Sequence, residues 1–132
     1  MKKLLATIVL ATLPVFASAG EYICEATNSG RDGWVPPKFY LAYDAATGKA
    51  YAYDGFISQV SENPIEVKWK QRSATSHQYN WTVKGVEGSN GGKGIISHRV
   101  ILFLDRNRFT LSGRLHGFDN VISGEGTCAK VG

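Results

Sequence analysis

A chain of 132 residues with 15 basic and 11 acidic side chains has a formal charge of +4, which suits one domain and lacks the concentrated basic footprint of a nucleic-acid binder. The two cysteines, Cys24 and Cys128, are too far apart to form a C-x-x-C redox pair. The histidines, His77, His98 and His116, show no H-x-H or H-x-x-x-H spacing that would hold a metal.

Lys2 and Lys3, the apolar run from Leu4 to Phe16 and the small residues Ala17-Ser18-Ala19 form the pattern of a secretory leader over 1–19. Cleavage after Ala19 leaves a single domain, 20–132, and removes two basic residues, so the net charge falls from +4 to +2. The apolar run is shorter than the roughly 18 to 20 residues of a spanning helix, and Gly20 stands where a lipoprotein needs cysteine. A periplasmic or secreted bacterial protein with neither membrane span nor lipid anchor is expected. In such an oxidising compartment Cys24 and Cys128 pair as a disulfide.

The first strand runs over about 21–27 and ends in the turn formers Asn28-Ser29-Gly30-Arg31-Asp32-Gly33. Trp34-Val35-Pro36-Pro37 holds an extended loop that cannot join a central ladder, so Trp34 is either a plug for one end of the fold or a rim contact. Lys38–Asp44 and Lys49–Asp54 alternate around Ala45-Ala46-Thr47-Gly48, a hairpin signature in which Gly48 supplies positive φ. Asp44 and Asp54 sit at strand ends and read as turn residues. Phe56 to Val60 is a strand continuation or one helical turn.

Ile65, Val67 and Trp69 alternate with Glu66, Lys68 and Lys70, and Tyr79, Trp81 and Val83 with Gln78, Asn80, Thr82 and Lys84. Period two puts each set on one face, with the apolar set inward. Val86–Gly94 is a glycine-rich loop whose spacing is not that of a phosphate cradle. Ile95–Asp105 is apolar on both faces, which predicts that both are covered. Phe109, Leu111 and Gly113 alternate in the next strand, and a turn at His116–Asn120 leads to the strand ending at Cys128.

About eight strands at short intervals with no 3.6-residue period predict an all-β fold, a small antiparallel up-and-down β-barrel. An even meander makes the first and last strands neighbours, where Cys24 and Cys128 meet; a two-sheet β-sandwich is the alternative. Barrels of this size are filled or hold one small ligand, and a chain this short favours filling.

No G-x-S-x-G motif and no free cysteine offers a nucleophile, and His116 with Asp119 reads as turn chemistry, so no catalytic residue, metal or cofactor is expected. The candidate contacts for a protein partner or a small apolar ligand are the aromatics Trp34, Tyr43, Trp69, Tyr79 and Trp81, with Lys84, His98 and Arg114. Lys68, Lys70 and Arg72 share the outer face of one strand, and Arg106, Arg108 and Arg114 cluster around another; these stripes keep a face solvated or meet an anionic partner.

Ser73-Ala74-Thr75-Ser76-His77-Gln78-Tyr79 followed by Trp81-Thr82-Val83-Lys84-Gly85, with the terminal cysteine pair, resembles the S-A-S-G-x-R-Y and W-x-K-G segments of periplasmic inhibitors of c-type lysozyme. The match spans about a tenth of the chain. Thr75-Ser76 replaces serine and glycine, Val83 is inserted before Lys84, and more than 40 residues lie between Lys84 and Cys128. The resemblance implies a small barrel that blocks a lytic enzyme through Ser73 or Ser76 and Lys84. The residues themselves point to a non-enzymatic envelope protein that binds through barrel rim and loops; inhibition of a lytic enzyme or protease, and carriage of a small apolar ligand, are the alternatives.

Overall fold

The computed structural model describes residues 19–28, 33–88, 91–118 and 121–132, apart from the side chain of Ala19. Residues 1–18, where a leader is expected, and residues 29–32, 89–90 and 119–120 lie outside the described residues. Eight strands follow in order: β1 (Ala19–Ala26), β2 (Lys38–Asp44), β3 (Lys49–Tyr53), β4 (Ile65–Ser73), β5 (Ser76–Glu87), β6 (Lys93–Phe103), β7 (Arg108–Leu115) and β8 (Ile122–Lys130). Each pairs antiparallel with the next, and β1 pairs with β8 to close the barrel. The meander is therefore adopted and the sandwich is not.

The alternation in the sequence sets which residues fill the interior. Tyr22 and Cys24 of β1, Phe39 and Leu41 of β2, Tyr79, Trp81 and Val83 of β5, and Val100 and Leu102 of β6 are all buried. Side chains fill this lumen, with Phe39 packing edge-on against Phe109 at a centroid distance of 4.9 Å. In β5 the period-two pattern breaks at Gly85, whose φ of 84° accompanies a register shift between Lys84 and Val86. That bulge lets both Val83 and Val86 face inward.

In β6 the inner face is buried, but Ile101 and Phe103 on the outer face are half-buried. The expectation that both faces are covered is thus met on one side; outside, the guanidinium of Arg106 lies 4.5 Å over the Phe103 ring. Phe56 to Val60 turns as a short 3-10 helix, Ile57–Gln59. Asp54 anchors it: its Oδ1 accepts from the amides of Phe56 at 2.9 Å and Ile57 at 2.7 Å. Asp44 is likewise a turn residue, accepting from the Ala46 amide at 2.9 Å while Gly48 takes a φ of 73°.

The closure seam is tight. Cys24 and Cys128 are direct partners in the β1–β8 register and form a disulfide with Cα atoms 4.0 Å apart. Beside them Gly126 leaves no room for a side chain, since a Cβ there would strike the Glu25 carbonyl oxygen and approach Phe109 to 2.8 Å. At Gly124 a Cβ would come within 2.8 Å of Val35, which is how the proline-rich loop tucks a fully buried valine into the barrel end.

The opposite side is built differently. β4 meets β3 from Ala50↔Val67 to Ala52↔Ile65 and meets β5 from Lys68↔Asn80 to Ser73↔Ser76. It changes neighbours at Val67–Lys68. Beyond Asn80, β5 runs on to Glu87 without a strand on its β4 side, and the Glu87 amide is taken by the Gln59 side chain at 2.9 Å.

The wall faces water with charge: Glu66, Lys68, Lys70, Arg99 and Arg114 are exposed while the aromatic and aliphatic set is inside. This is the reverse of a membrane-spanning barrel, whose outer band is apolar. Among the described residues no helix is long and apolar enough to cross a membrane.

Candidate functional site: a charged groove across the barrel wall

Where β4 parts from β5, a concavity of about 880 Å³ opens on the wall and extends over β6 and β7. Ile65 to Lys68 form one flank, and two cross-strand rows form its bed. The register places Asn80 beside Arg99 and Arg99 beside Ser112, then Thr82 beside Ser97 and Ser97 beside Arg114. These side chains sit on paired strands, so their spacing is held by the ladder and not by a loop.

The bed is hydrogen-bonded. Thr82 Oγ1 and Ser97 Oγ lie 2.8 Å apart, and Ser97 Oγ is also 2.8 Å from His116 Nε2. Gln78 Nε2 donates to Asn80 Oδ1 at 2.7 Å. Among the described residues the ion pairs are Lys38–Glu25, Lys93–Glu87 and Arg106–Asp105, so Lys68, Arg99 and Arg114 keep their charge for the groove. Among the described residues Glu66 is the one carboxylate lining it. A second concavity of about 610 Å³ continues past Ser97 and Arg114 to His116, Gly117 and Phe118. Phe118 and Val121, 62% and 73% exposed, mark that edge.

A serine bonded to a histidine is the starting geometry of a nucleophile. Here Ser97 lies mid-strand, with β5 and β7 paired on either side of it, so the backbone amides around it are engaged in the ladder. Thr82, Ser97 and His116 form a polar relay that can donate or accept. Asp119, the partner considered for His116, lies outside the described residues. Among the described residues no group of three or more metal-ligating side chains converges.

The candidate contacts divide into three places. Tyr43 and Trp69 stack at 5.2 Å and 9°, with His77 edge-on to Tyr43 at 4.7 Å; Tyr79 is fully buried, and burial pushes its phenol far above the ordinary range. None of these lines the wall groove. At the other end Trp34 stacks on Phe56 at 5.7 Å, and its carbonyl accepts from His98 Nε2 at 3.0 Å, so Trp34 belongs to the plug. Trp81 and His98 back the groove, and Arg114 lines it.

Lys84 is exposed on β5, eight residues from Ser76 on the same strand, which is roughly 26 Å at the strand rise. Ser73 and Ser76 bond each other at 2.8 Å at the far turn. The contact set implied by the resemblance is therefore split between the two ends of the barrel.

Sequence reasoning passed over Arg99, Ser97, Thr82, Asn80 and Ser112 as groove residues. Their signal was parity: each falls on the outer phase of an alternating strand, and Arg99 interrupts the most apolar one. Of the two basic stripes, Lys68 and Arg114 reach the groove, whereas Arg106 is engaged by Asp105 at 3.9 Å and by Phe103.

Behind the groove, His98 is 2% exposed. Burial lowers its pKa, against the opposing pull of the Trp34 carbonyl and of Asp54. His77 is lowered by burial too. With Nε2–H donated to Trp34, the neutral ring presents Nδ1 as an acceptor. No protein-family model matches the chain, and neither a curated protein nor a solved structure matches it.

Proposed function

We propose that the protein is an exported, non-enzymatic binding protein of the bacterial envelope, and that its working surface is the wall groove over β4 to β7, where it takes an anionic ligand. The observation that carries this is the convergence of Lys68, Arg99 and Arg114 on one concavity with no ion pair among the described residues to neutralise them. Cations held on rigid strands in a recess attract and orient anions more effectively than the same charges scattered over a surface. The groove gathers these three cations beside the hydroxyls of Thr82, Ser97 and Ser112.

Export is supported by the leader pattern over 1–19 and by a disulfide that suits an oxidising compartment. A filled lumen speaks against an apolar carrier, and the distance between Ser76 and Lys84 speaks against a single inhibitory contact using both. Amino-terminal sequencing of envelope protein should begin at Gly20. Fluorescence titration with a soluble polyanion, polyphosphate, at low and physiological salt should give binding that weakens at least tenfold in Arg99→Gln/Arg114→Gln. Equal binding by wild type and this variant would move the site elsewhere.

A further inference from the structure

Resting on the anionic reading of the same groove, we infer that the ligand is an anionic oligosaccharide. The bed sets each charge beside a hydroxyl or amide: Arg99 is flanked by Asn80 and Ser112, and Arg114 stands beside Ser97, which Thr82 flanks on the other side. A ligand that offers charge alone leaves the four neutral members of this lattice unused. Strands about 4.8 Å apart repeat at close to the length of one pyranose unit, so successive sugars laid across β5, β6 and β7 meet successive side chains of one row.

The relay fits hydroxyl recognition. Ser97 lies 2.8 Å from both Thr82 and His116, and each hydroxyl has one donor and two acceptor positions. The chain can thus turn its polarity to match a sugar hydroxyl that donates or one that accepts. Glu66 has the same logic. Facing a bare polyanion it repels; facing a polyol it accepts a hydroxyl while Lys68, two residues along the same face of β4, and Arg99 and Arg114 across the bed hold the acid groups.

Other occupants fit less well. A protein partner would want a central aromatic or aliphatic anchor in a desolvated pocket; among the described residues the accessible apolar side chains lining this groove are the half-buried Ile65 and Val67 on its flank and the exposed Val121 at its edge. Single-stranded nucleic acid wants a series of exposed aromatic faces for stacking, whereas Trp81 is buried and Phe118 stands alone at the far end of the second concavity among the described residues.

The test is calorimetric titration of the mature chain with tetramers of galacturonate and of hyaluronan, with polyglutamate of matched charge and with a neutral malto-oligosaccharide. At least one acidic oligosaccharide should bind ten times more tightly than polyglutamate and the neutral sugar. Thr82→Val and Ser97→Ala should each weaken it several-fold, and Arg99→Gln at least tenfold, with circular dichroism and melting temperature unchanged. If polyglutamate binds as tightly and the two hydroxyl deletions have no effect, the oligosaccharide inference falls and the anionic groove stands. If no anion binds at all, both fall.

Discussion

The barrel has two seams on opposite sides, and they are built on contrary principles. At β1–β8 the strands are paired from Tyr22↔Lys130 to Ala26↔Gly126, joined by Cys24–Cys128 and pressed together at Gly126 until no side chain fits. At β4–β5 pairing stops at Lys68↔Asn80 and a groove opens. The first seam holds the fold; the second exposes a polar bed that the fold does not need. A closed sheet can part at one place because the rest of the ring keeps its register.

The largest expected effect comes from undoing the clamped seam. In Cys24→Ser/Cys128→Ser the unfolded chain regains the entropy of a loop of about 100 residues, a loss of roughly 4 to 5 kcal/mol of stability. Urea unfolding reads this, and binding in the groove should persist wherever the variant is folded. Next is Gly126→Val, whose side chain meets the Glu25 carbonyl, Ala26 and Phe109. It should cost about 1 to 3 kcal/mol or more as an overpacked site, again measured by urea, whereas Glu66→Gln at the open seam should leave the midpoint unmoved.

A smaller effect separates the seams by pH. His98 backs the groove and His77 sits on β5 where β4 is still paired with it, so neither is at the clamped seam; both are held below their ordinary pKa by burial. Just below about pH 6.5 the unfolded chain therefore binds the extra protons, so stability falls as pH falls toward the lowered folded values and is flat with respect to these groups above that point. Each histidine contributes a slope of at most about 1.4 kcal/mol per pH unit. Urea midpoints between pH 5 and 8 should show this slope, reduced in His98→Gln. The smallest effect on stability is at the groove itself: Arg99→Gln and Arg114→Gln should stay within about 0.5 kcal/mol while anion binding is lost.

The clamped seam was legible and the open one was not, for a physical reason. Alternation in β5, β6 and β7 tells which side chains face in, and an even meander tells that the strands of Cys24 and Cys128 meet. Period two says nothing about which neighbour a strand pairs with at each residue. The switch of β4 from β3 to β5 at Val67–Lys68 is a register property, and it decides where the groove lies. Trp34, Tyr43, Trp69 and Tyr79 attracted attention as large aromatics, and size is what drew them into the plug and the core. Arg99 and Ser97 were readable by parity as outward-facing, but their convergence with Arg114 required the β6–β7 register.

The placement of Cys24 and Cys128 also decides what happens when the chain is cut. Every connection from β1 to β8, including the exposed tip at 45–47, lies between the two cysteines. A single proteolytic nick in any of them leaves both fragments on one covalent body, threaded through a sheet whose ladders span the break. Such a nicked molecule would migrate intact without reductant, separate into two pieces with it, and keep a wall groove whose bed lies in β5 to β7.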